Sequence, residues 1–437
     1  MVRELKHTEI GDIPVDWELQ TFDETFRVIS NNTLSRENLN NRGGAVRNIH
    51  YGDILTKFPE VLDCNEEEIP YVNELSLLSS STQLLQDGDI VVADTAEDET
   101  VGKVIEVQNL GDSKLVAGLH TIPCRVKKGE FAPGWLGYYM NSDLFHNQIL
   151  PYITGIKVSS ISKGAISETL ILVPPFDEQK KIVQSLNKIQ LLMTAETKVV
   201  NKIKLVKNGC LSKMFPQKDD TVPEMRLPGF TEAWEQRKLI DLVDVLDGDR
   251  GKNYPTSDDF DISGHTLFLN ATNVTNDGFL FQDNQFITEE KSNSMGNGKL
   301  EEDDIVVTSR GSLGHIAWYN ADISSFMPYV RINSGMLILR NKKELETEYL
   351  YHFMKSDKGQ SQISFISFGS AQPQLTKKGV ENLEVVLPTR RDEQAQLGHY
   401  FSSIDHLINL HQCKCDKYSN IKKGMMSDLL TGEIRLV

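Results

Sequence analysis

The sequence has no long apolar run. It contains no stretch of about 18 consecutive apolar residues, so no membrane span is predicted. The segment 1–10 is charged and has no apolar centre, which argues against a signal peptide. We therefore expect a cytoplasmic protein. With 437 residues, the chain is long enough for two to three domains of roughly 100–200 residues each.

Cysteine and positive charge are also scarce. The pair Cys413 and Cys415 has neither the two-residue spacing nor the second pair of ligands of a structural zinc site. We expect the five cysteines to be reduced thiols and predict no metal site. The formal net charge is −16. Because nonspecific DNA affinity comes mostly from neutralised phosphates, any DNA contact needs local basic patches or another subunit.

Signatures of catalysis are missing as well. The chain has no Gly-x-x-x-x-Gly-Lys-Ser/Thr loop and no His-Glu-x-x-His motif. Val173-Pro174-Pro175-Phe176 is similar to the motif with which adenine methyltransferases hold their target amino group. Its first residue must accept hydrogen bonds, and Val173 cannot. A strand-to-helix turn explains the prolines, and we predict no catalytic residue and no cofactor bound by this chain.

What the sequence does contain is a repeat with a shift of about 215 residues. Asp177-Glu178-Gln179 returns as Asp392-Glu393-Gln394, and Asp89-Ile90-Val91-Val92 returns as Asp304-Ile305-Val306-Val307. The period is too long for a solenoid, so each copy is predicted to be a domain. Two like halves present two like surfaces, which suits a target that is itself in two parts.

Each half begins with short strand patterns and ends with a long helical one. Short helices intervene, as at Trp135 to Met140, so the predicted fold class is α/β (α+β). Apolar residues then recur at steps of three and four from Ile182 to Met214 and again from Leu397 to Leu429. We interpret these as a pair of helices that spaces two similar domains. The predicted division is 1–175 first domain, 176–216 first spacer helix, 217–234 connector, 235–388 second domain and 389–437 second spacer helix.

Polar loops recur at corresponding places. Thr308 to Gly314 carries Arg310 on a glycine-containing loop, and the matching loop of the first half leads from Ala93 to Lys103. A second pair is Thr154 to Ser160 and Gly369 to Leu375. Such loops are predicted to contact phosphates or base edges, although tight turns with solvated side chains explain them equally well. With a weaker third pair at two early strand ends, the candidate DNA contacts are Arg47, Asn48, His50, Lys103, Lys157, Ser159, Asn270, Asn273, Arg310, Ser312, Gln372 and Gln374.

These features together resemble the specificity subunit of type I restriction-modification systems. The resemblance covers the whole chain: an opening Ile13-Pro14 to Trp17 segment, the motif from Pro174 to Gln179 before a long helix, a re-entry from Pro228 to Leu239, and the ending Leu429 to Arg435. It implies two target-recognition domains separated by a pair of long antiparallel coiled-coil helices with pseudo-twofold symmetry. Each domain would read one half of a split site in double-stranded DNA.

The resemblance also implies which subunits the chain binds and which of them carry the catalytic activities. The chain would have no activity itself and would hold two modification (methyltransferase) subunits that carry S-adenosylmethionine, together with restriction (translocase/endonuclease) subunits that use ATP and Mg. One departure is the acidic loop 93–100 of the first half, whose four acids DNA would repel. Either this loop faces away from DNA, or its Asp and Glu side chains accept hydrogen bonds from cytosine amino groups. The alternatives are a standalone adenine DNA methyltransferase and a helical adaptor without DNA contact.

The helix pair should have a defined register. With Ile182 opposite Leu429 and Met214 opposite Leu397, Glu196 and His411 are the polar residues of the two apolar stripes. They would lie about one helical turn apart. This polar pair either fixes the register, as in some coiled coils, or faces solvent.

Overall fold

The computed structural model describes residues 4–155, 157–217, 220–367 and 374–436. The chain forms two compact units. The first comprises Met1–Glu196 with Lys414–Val437, and the second comprises Thr197–Cys413. Each unit consists of one mixed α/β domain, which we call the first and second domain, and parts of two long helices.

The first unit contains the following elements up to the first long helix, which continues into the second unit: strands β1 Leu5–Thr8, β2 Gly11–Pro14, β3 Glu18–Thr21, β4 Phe26–Val28, β5 Leu39–Asn40, β6 Arg47–Ile49, β7 Val61–Asp63, β8 Tyr71–Val72, β9 Ile90–Ala93, β10 Thr95–Ala96, β11 Val104–Gln108, β12 Leu115–Ala117, β13 Thr121–Val126, β14 Ser159–Ser160 and β15 Leu170–Val173, and helices α1 Phe22–Thr25, α2 Tyr51–Thr56, α3 Trp135–Tyr139, α4 Asp143–Ile149, α5 Lys163–Ser167 and α6 Phe176–Met214.

The second unit contains the following elements, the last of which ends in the first unit: strands β16 Trp234–Lys238, β17 Val243–Asp247, β18 Thr266–Leu269, β19 Val274–Thr275, β20 Gly278–Phe279, β21 Phe286–Ile287, β22 Asp304–Thr308, β23 Ile316–Tyr319, β24 Val330–Ile332, β25 Met336–Asn341 and β26 Glu384–Pro388, and helices α7 Leu239–Leu242, α8 Glu289–Ser294, α9 Ala321–Phe326, α10 Thr347–Lys355, α11 Asp357–Ser367, α12 Lys377–Glu381 and α13 Arg391–Leu430.

A sheet separates two cores in each domain, and it is mixed in the first domain but antiparallel in the second. In the first domain its order is β4-β13-β9-β11-β7, and in the second it is β17-β25-β22-β23. Side chains alternate between the faces of a strand. In β9, Ile90 and Val92 therefore face the core shared with the helices, while Val91 and Ala93 face the other core. Residues of β22 divide in the same way between two cores. The second core is bounded by a pair of parallel strands, which is β6 with β12 in the first domain and β18 with β24 in the second.

The two long helices are 39 and 40 residues long. In the first unit, Lys414 lies 3.6 Å from Glu196, and Lys422 donates to Gln190 at 2.8 Å. In the second unit, the Tyr400 hydroxyl lies 3.4 Å from the sulfur of Cys210. Residue numbers rise along one helix as they fall along the other. The helices are therefore antiparallel within each unit, in the register that the apolar stripes predict.

The predicted stripe was wrong at one repeated position. Val206 is 51% exposed and Ile421 is 39% exposed, although the spacing assigned both to the apolar seam. The next residues, Lys207 and Lys422, are buried instead, each at 7% exposure. Both lysines are matched by acceptors, as described below, so the seam holds a charged residue where a branched aliphatic one was expected.

The repeated Asp-Glu-Gln motif attaches each long helix to its domain. Glu178 accepts from the indole of Trp17 at 3.0 Å and from the guanidinium of Arg435 at 2.7 Å. Gln179 donates to the Pro174 carbonyl at 2.8 Å and accepts from the Ala132 amide at 2.9 Å. The turn around Pro174 and Pro175 is thus a structural junction.

The second copy repeats these contacts. Glu393 accepts from Trp234 at 3.3 Å and from Arg226 at 2.7 Å. Gln394 donates to the Pro388 carbonyl at 2.7 Å and accepts from the Glu346 amide at 3.0 Å. The internal repeat therefore extends to individual hydrogen bonds. The α/β fold class, the two similar domains and the pair of long antiparallel helices are confirmed.

Candidate nucleic-acid interface

The two recurrent loops of the first domain lie side by side. β10, in the acidic loop, pairs antiparallel with β14, in the loop 154–160, so that Ala96 faces Ser159. The Ile161 amide also donates to the Asp94 carbonyl at 2.9 Å. Residues more than 60 positions apart in sequence therefore form one surface, which begins where the central strand β9 ends.

The second domain brings its two loops together in the same way. The Leu375 amide donates to the Ser309 carbonyl at 3.0 Å, and Ser309 follows the central strand β22. The Ser309 amide in turn donates to the Gly335 carbonyl at 2.7 Å, just as Asp94 donates to the His120 carbonyl at 3.1 Å in the first domain. The same backbone junction thus carries different side chains in the two domains.

Arg310 is exposed beside this junction in the second domain. A Cβ atom at Gly335 would lie 3.8 Å from the Cβ of Arg310. Arg250 donates to the neighbouring Ser334 carbonyl at 3.2 Å. Two arginines therefore adjoin the segment 333–335, and the sequence predicted only the first. Arg250 has no motif of its own, so only its position in the fold reveals it.

Other predicted contacts are accessible at the same surfaces. Ser312 and Gln374 are exposed in the second domain, and Lys157 is exposed in the first. Ser159 is half-buried in β14. Gln372 lies outside the described residues.

The predicted contacts at the early strands have structural partners instead. Arg47 is buried and donates to the Cys64 carbonyl at 2.6 Å. Asn48 is fully buried and accepts from the Asn32 amide at 2.7 Å. The Asn273 amide is fully buried and donates to the Leu280 carbonyl at 3.0 Å. These three side chains hold loops to strands, and we do not retain them among the proposed DNA contacts.

Three further candidates also have partners within the protein. His50 begins α2 by accepting from the Gly52 amide at 3.1 Å, and burial together with Arg36 lowers the pKa of its imidazole. The Lys103 ammonium donates to two carbonyls near the end of α2, and burial lowers its pKa. Asn270 is half-buried and donates to the Asp283 carbonyl at 3.1 Å.

Two acids of the acidic loop in the first domain have partners within the protein, so not all of its acidic side chains are free to repel DNA. Asp94 lies 3.4 Å from the ring of His120, and Asp98 accepts from the Thr100 amide at 2.9 Å. Residues 97–99 are exposed. His120 itself was missed by sequence reasoning because its neighbours in space lie at least 25 residues away.

The described residues contain no group of three or more His, Cys, Asp or Glu side chains that could hold a metal ion. All five cysteines are free thiols. No helix in the described parts of the chain is long and apolar enough to cross a membrane.

The chain has two like α/β domains and two long helices, and comparison with known proteins identifies its family. The model of the type I restriction modification DNA specificity domain matches residues 14–205 and 231–417. Because these two matches cover most of the chain, the protein belongs to this family. Sequence-specific DNA recognition is the role that defines the family.

Two curated relatives come from Methanocaldococcus jannaschii. A protein assigned as the specificity subunit of the type I restriction enzyme MjaX is 23% identical over 440 residues, covering 99% of this chain and 96% of the relative. The specificity subunit of the type I restriction enzyme MjaVIII is 24% identical over 289 residues, covering 64% of this chain and 66% of the relative. Both matches include much of the relative's own length.

Solved structures have the same fold. The S subunit of a type I restriction-modification system from M. genitalium has a TM-score of 0.58 and 15% identity, covering 98% of this chain and 99% of that one. A chain from a study of complex assembly and conformational transition of the type I system has a TM-score of 0.51 and 14% identity, covering 97% and 99%. At these identities the likeness concerns the fold alone.

Proposed function

We propose that this chain reads a split site in double-stranded DNA, with one domain for each half. The observation that carries the proposal is the repeated backbone junction. Asp94 and Ser309 occupy equivalent places beside equivalent loops, but the accessible side chains around them differ. A common scaffold with different side chains positions each domain alike and lets each select different bases.

The long helices would hold the partner subunits. Leu191 and Leu205 on α6 are 70% and 72% exposed, and Leu410 on α13 is 47% exposed. Large apolar side chains left in solvent favour burial against another protein. We assign the exposed apolar side chains of the helices in each unit to contacts with two modification subunits, with restriction subunits joining the resulting complex.

Catalysis would belong to those partners. Val173 ends β15, where it pairs with Glu18, and the adjoining prolines form the junction with α6. These groups have structural roles in place of an amino-group site. The proposed chain is therefore a specificity subunit without activity of its own, while S-adenosylmethionine and ATP with Mg are bound by other subunits.

The experiment is to assemble the chain with its modification subunit in a host that lacks other DNA methylation and to sequence the methylated genome. The expected result is one split motif, with methylation lost when either subunit is omitted. Purified chain incubated alone with labelled S-adenosylmethionine and DNA should incorporate no label. Incorporation by the chain alone would support the standalone methyltransferase, and an assembled complex without sequence preference would support the helical adaptor.

A further inference from the structure

Two segments of the first domain, the start of α2 and the acidic loop, contact His120. Its ring lies 5.3 Å from the ring of Tyr51, in an edge-on arrangement, and the Tyr51 ring lies 4.6 Å from His50. Thr95 approaches from the acidic loop, 3.2 Å from the imidazole. Through β10, that loop is paired with β14. His120 thus adjoins the surface formed by both recurrent loops.

The hydrogen bonds around Asp94 determine which ring nitrogen of His120 carries the proton. The Thr95 hydroxyl donates its only proton to Asp94 Oδ1 at 2.8 Å. His120 Nδ1 lies 3.2 Å from Thr95 Oγ1 and 3.4 Å from Asp94 Oδ1. Both of these oxygens must accept from it, because an ionised carboxylate has no proton to give. In the neutral ring Nδ1 is therefore the donor and Nε2 is the acceptor.

The free nitrogen is available to a ligand. The His120 side chain is 46% exposed, and within the described parts of the chain Nε2 has no hydrogen-bond partner. The backbone at His120 has φ of 55°, in the left-handed region that non-glycine residues seldom adopt. The equivalent place in the second domain is Gly335. The first domain thus keeps an imidazole where the second has no side chain.

We propose that His120 Nε2 accepts a hydrogen bond from the exocyclic amino group of a base in the half-site read by the first domain. Adenine N6 and cytosine N4 are the amino groups that the major groove displays. Asp94 positions the imidazole and fixes its tautomer, as carboxylates do for metal-bound and catalytic histidines. The acidic loop then has a reason to lie beside DNA, because in the neutral ring the contact of Nδ1 with Asp94 leaves Nε2 as the acceptor.

This inference rests on the proposed function and adds to it a base-reading residue with a defined chemistry. In the second domain, Arg310 and Arg250 present only donors, which suit guanine O6 and N7 or phosphate. An acceptor in one domain and donors in the other would give the two half-sites different sequences from the same backbone junction.

The test compares two variants at one position. In His120→Asn, the side chain ends near the place of Nδ1, and asparagine tolerates the left-handed backbone. In His120→Gln, an amide oxygen can reach the place of Nε2. Assembled methyltransferase would be titrated with duplexes containing its methylated motif, and Kd measured by fluorescence anisotropy. His265→Asn is the matched control, since His265 stacks on Tyr329 at 4.1 Å in the second domain.

The duplexes would lack single groups in the first half-site. Purine replaces each adenine and pyrimidin-2-one replaces each cytosine, which deletes one amino group at a time, and 7-deazapurines delete N7. For wild type, one amino deletion should weaken binding roughly tenfold, the effect of losing a hydrogen bond and leaving its partner unpaired. His120→Asn should be insensitive to that same deletion, while His120→Gln and His265→Asn should remain sensitive.

Other outcomes overturn the proposal. Equal sensitivity of wild type and His120→Asn at every amino group would show that His120 does not read a base. If the His120→Asn variant instead becomes insensitive to deletion of a purine N7, His120 donates a hydrogen bond to that base. If the thermal midpoint of His120→Asn falls well below that of wild type, the comparison rests on His120→Gln. Binding by that variant must still weaken when the same amino group is deleted from the duplex. A wild-type complex with no preferred motif would count against the proposed function itself.

Discussion

Arg310 is the clearest single residue for testing the second domain. It is exposed beside the loop junction, so it can contact either a guanine edge or a phosphate. If it reads guanine, Arg310→Ala should cost about 1–3 kcal/mol of binding free energy and relax selectivity at one base pair. If it contacts phosphate, affinity should fall alike for all sequences and the salt dependence should weaken.

The measurement is the Kd of the assembled methyltransferase for motif and non-motif duplexes at two salt concentrations. Arg237→Ala is a suitable control, because Arg237 lies in β16 and forms an ion pair with Glu344 at 3.3 Å. Unchanged binding by Arg310→Ala would show that the loop is only a turn.

His352 should make the stability of the second unit depend on pH. It is fully buried, lies 3.1 Å from the Ser402 hydroxyl, and has a pKa held well below the usual value by burial and by Lys207. The folded state therefore resists protonation. Below about pH 6.5 the unfolded chain takes up a proton that the folded chain refuses, so stability falls as pH falls.

The expected slope is about 1.4 kcal/mol per pH unit below the unfolded pKa. Denaturant unfolding at pH 7.5, 6.5 and 5.5 would measure it. His352→Gln should flatten the dependence, whereas His399→Gln, at an exposed position of α13, should leave it in place. An unchanged slope in His352→Gln would assign the dependence to other groups.

For single residues, the residue type alone predicted the candidate site only in part. Arg310 stands on a loop with nearby glycines, and a side chain with that local setting is exposed as expected. Arg47 and Asn48 have equally suitable donors, but their burial depends on Cys64 and Asn32, which lie 16 or 17 positions away. The sequence does not show whether a polar side chain at a strand end is exposed to solvent or buried against a distant segment.

Among the elements, the long helices combine an apolar seam with one buried lysine in each unit. Lys207 forms an ion pair with Asp405 at 2.5 Å, and its side chain is 9% exposed while that of Asp405 is 30% exposed. Lys422 contacts Glu60 and Gln190 at the equivalent place. Removing only one member of such a pair leaves the other without its partner, which is the costly change.

Asp405→Leu should therefore destabilise the second unit by about 1–3 kcal/mol, below the full cost of a buried pair because Asp405 is partly solvated. The double variant Lys207→Leu, Asp405→Leu should recover most of that loss. Chemical denaturation of the three proteins would measure both values. If the double variant is no more stable than Asp405→Leu, the pair is not an isolated ionic contact.

The elements themselves were largely predictable, since strands and helices follow from local periodicity. The period of three and four residues indicated both helices, and the repeated segment from Asp304 to Val307 lies in the strand β22. What periodicity could not give was the choice between neighbouring residues. Lys207 can extend its ammonium to Asp405, while Val206, beside it, has only an apolar side chain.

On the scale of the molecule, the repeat suggests where a domain can be exchanged. β16 and β26 pair along their whole length, from Trp234 with Pro388 to Lys238 with Glu384. Trp234 also donates to Glu393 in α13. These strands belong with the helix junction, so an exchange that divides the pair would disturb the helices. Residues 239–383, which lie between the two strands, form the better unit for exchange.

Replacing 239–383 with the corresponding segment of another family member should change one half of the methylated motif and leave the other half intact. The reason is that the replaced segment contains Arg310 and its junction with Leu375, while the first domain keeps its own loops. Methylome sequencing of a host with the hybrid chain and the modification subunit would measure it. As a control, exchange of 235–383 replaces most of β16 but leaves β26, which divides the pair and should lower the yield of assembled complex. A motif that changes in both halves would show that the two domains do not read DNA independently.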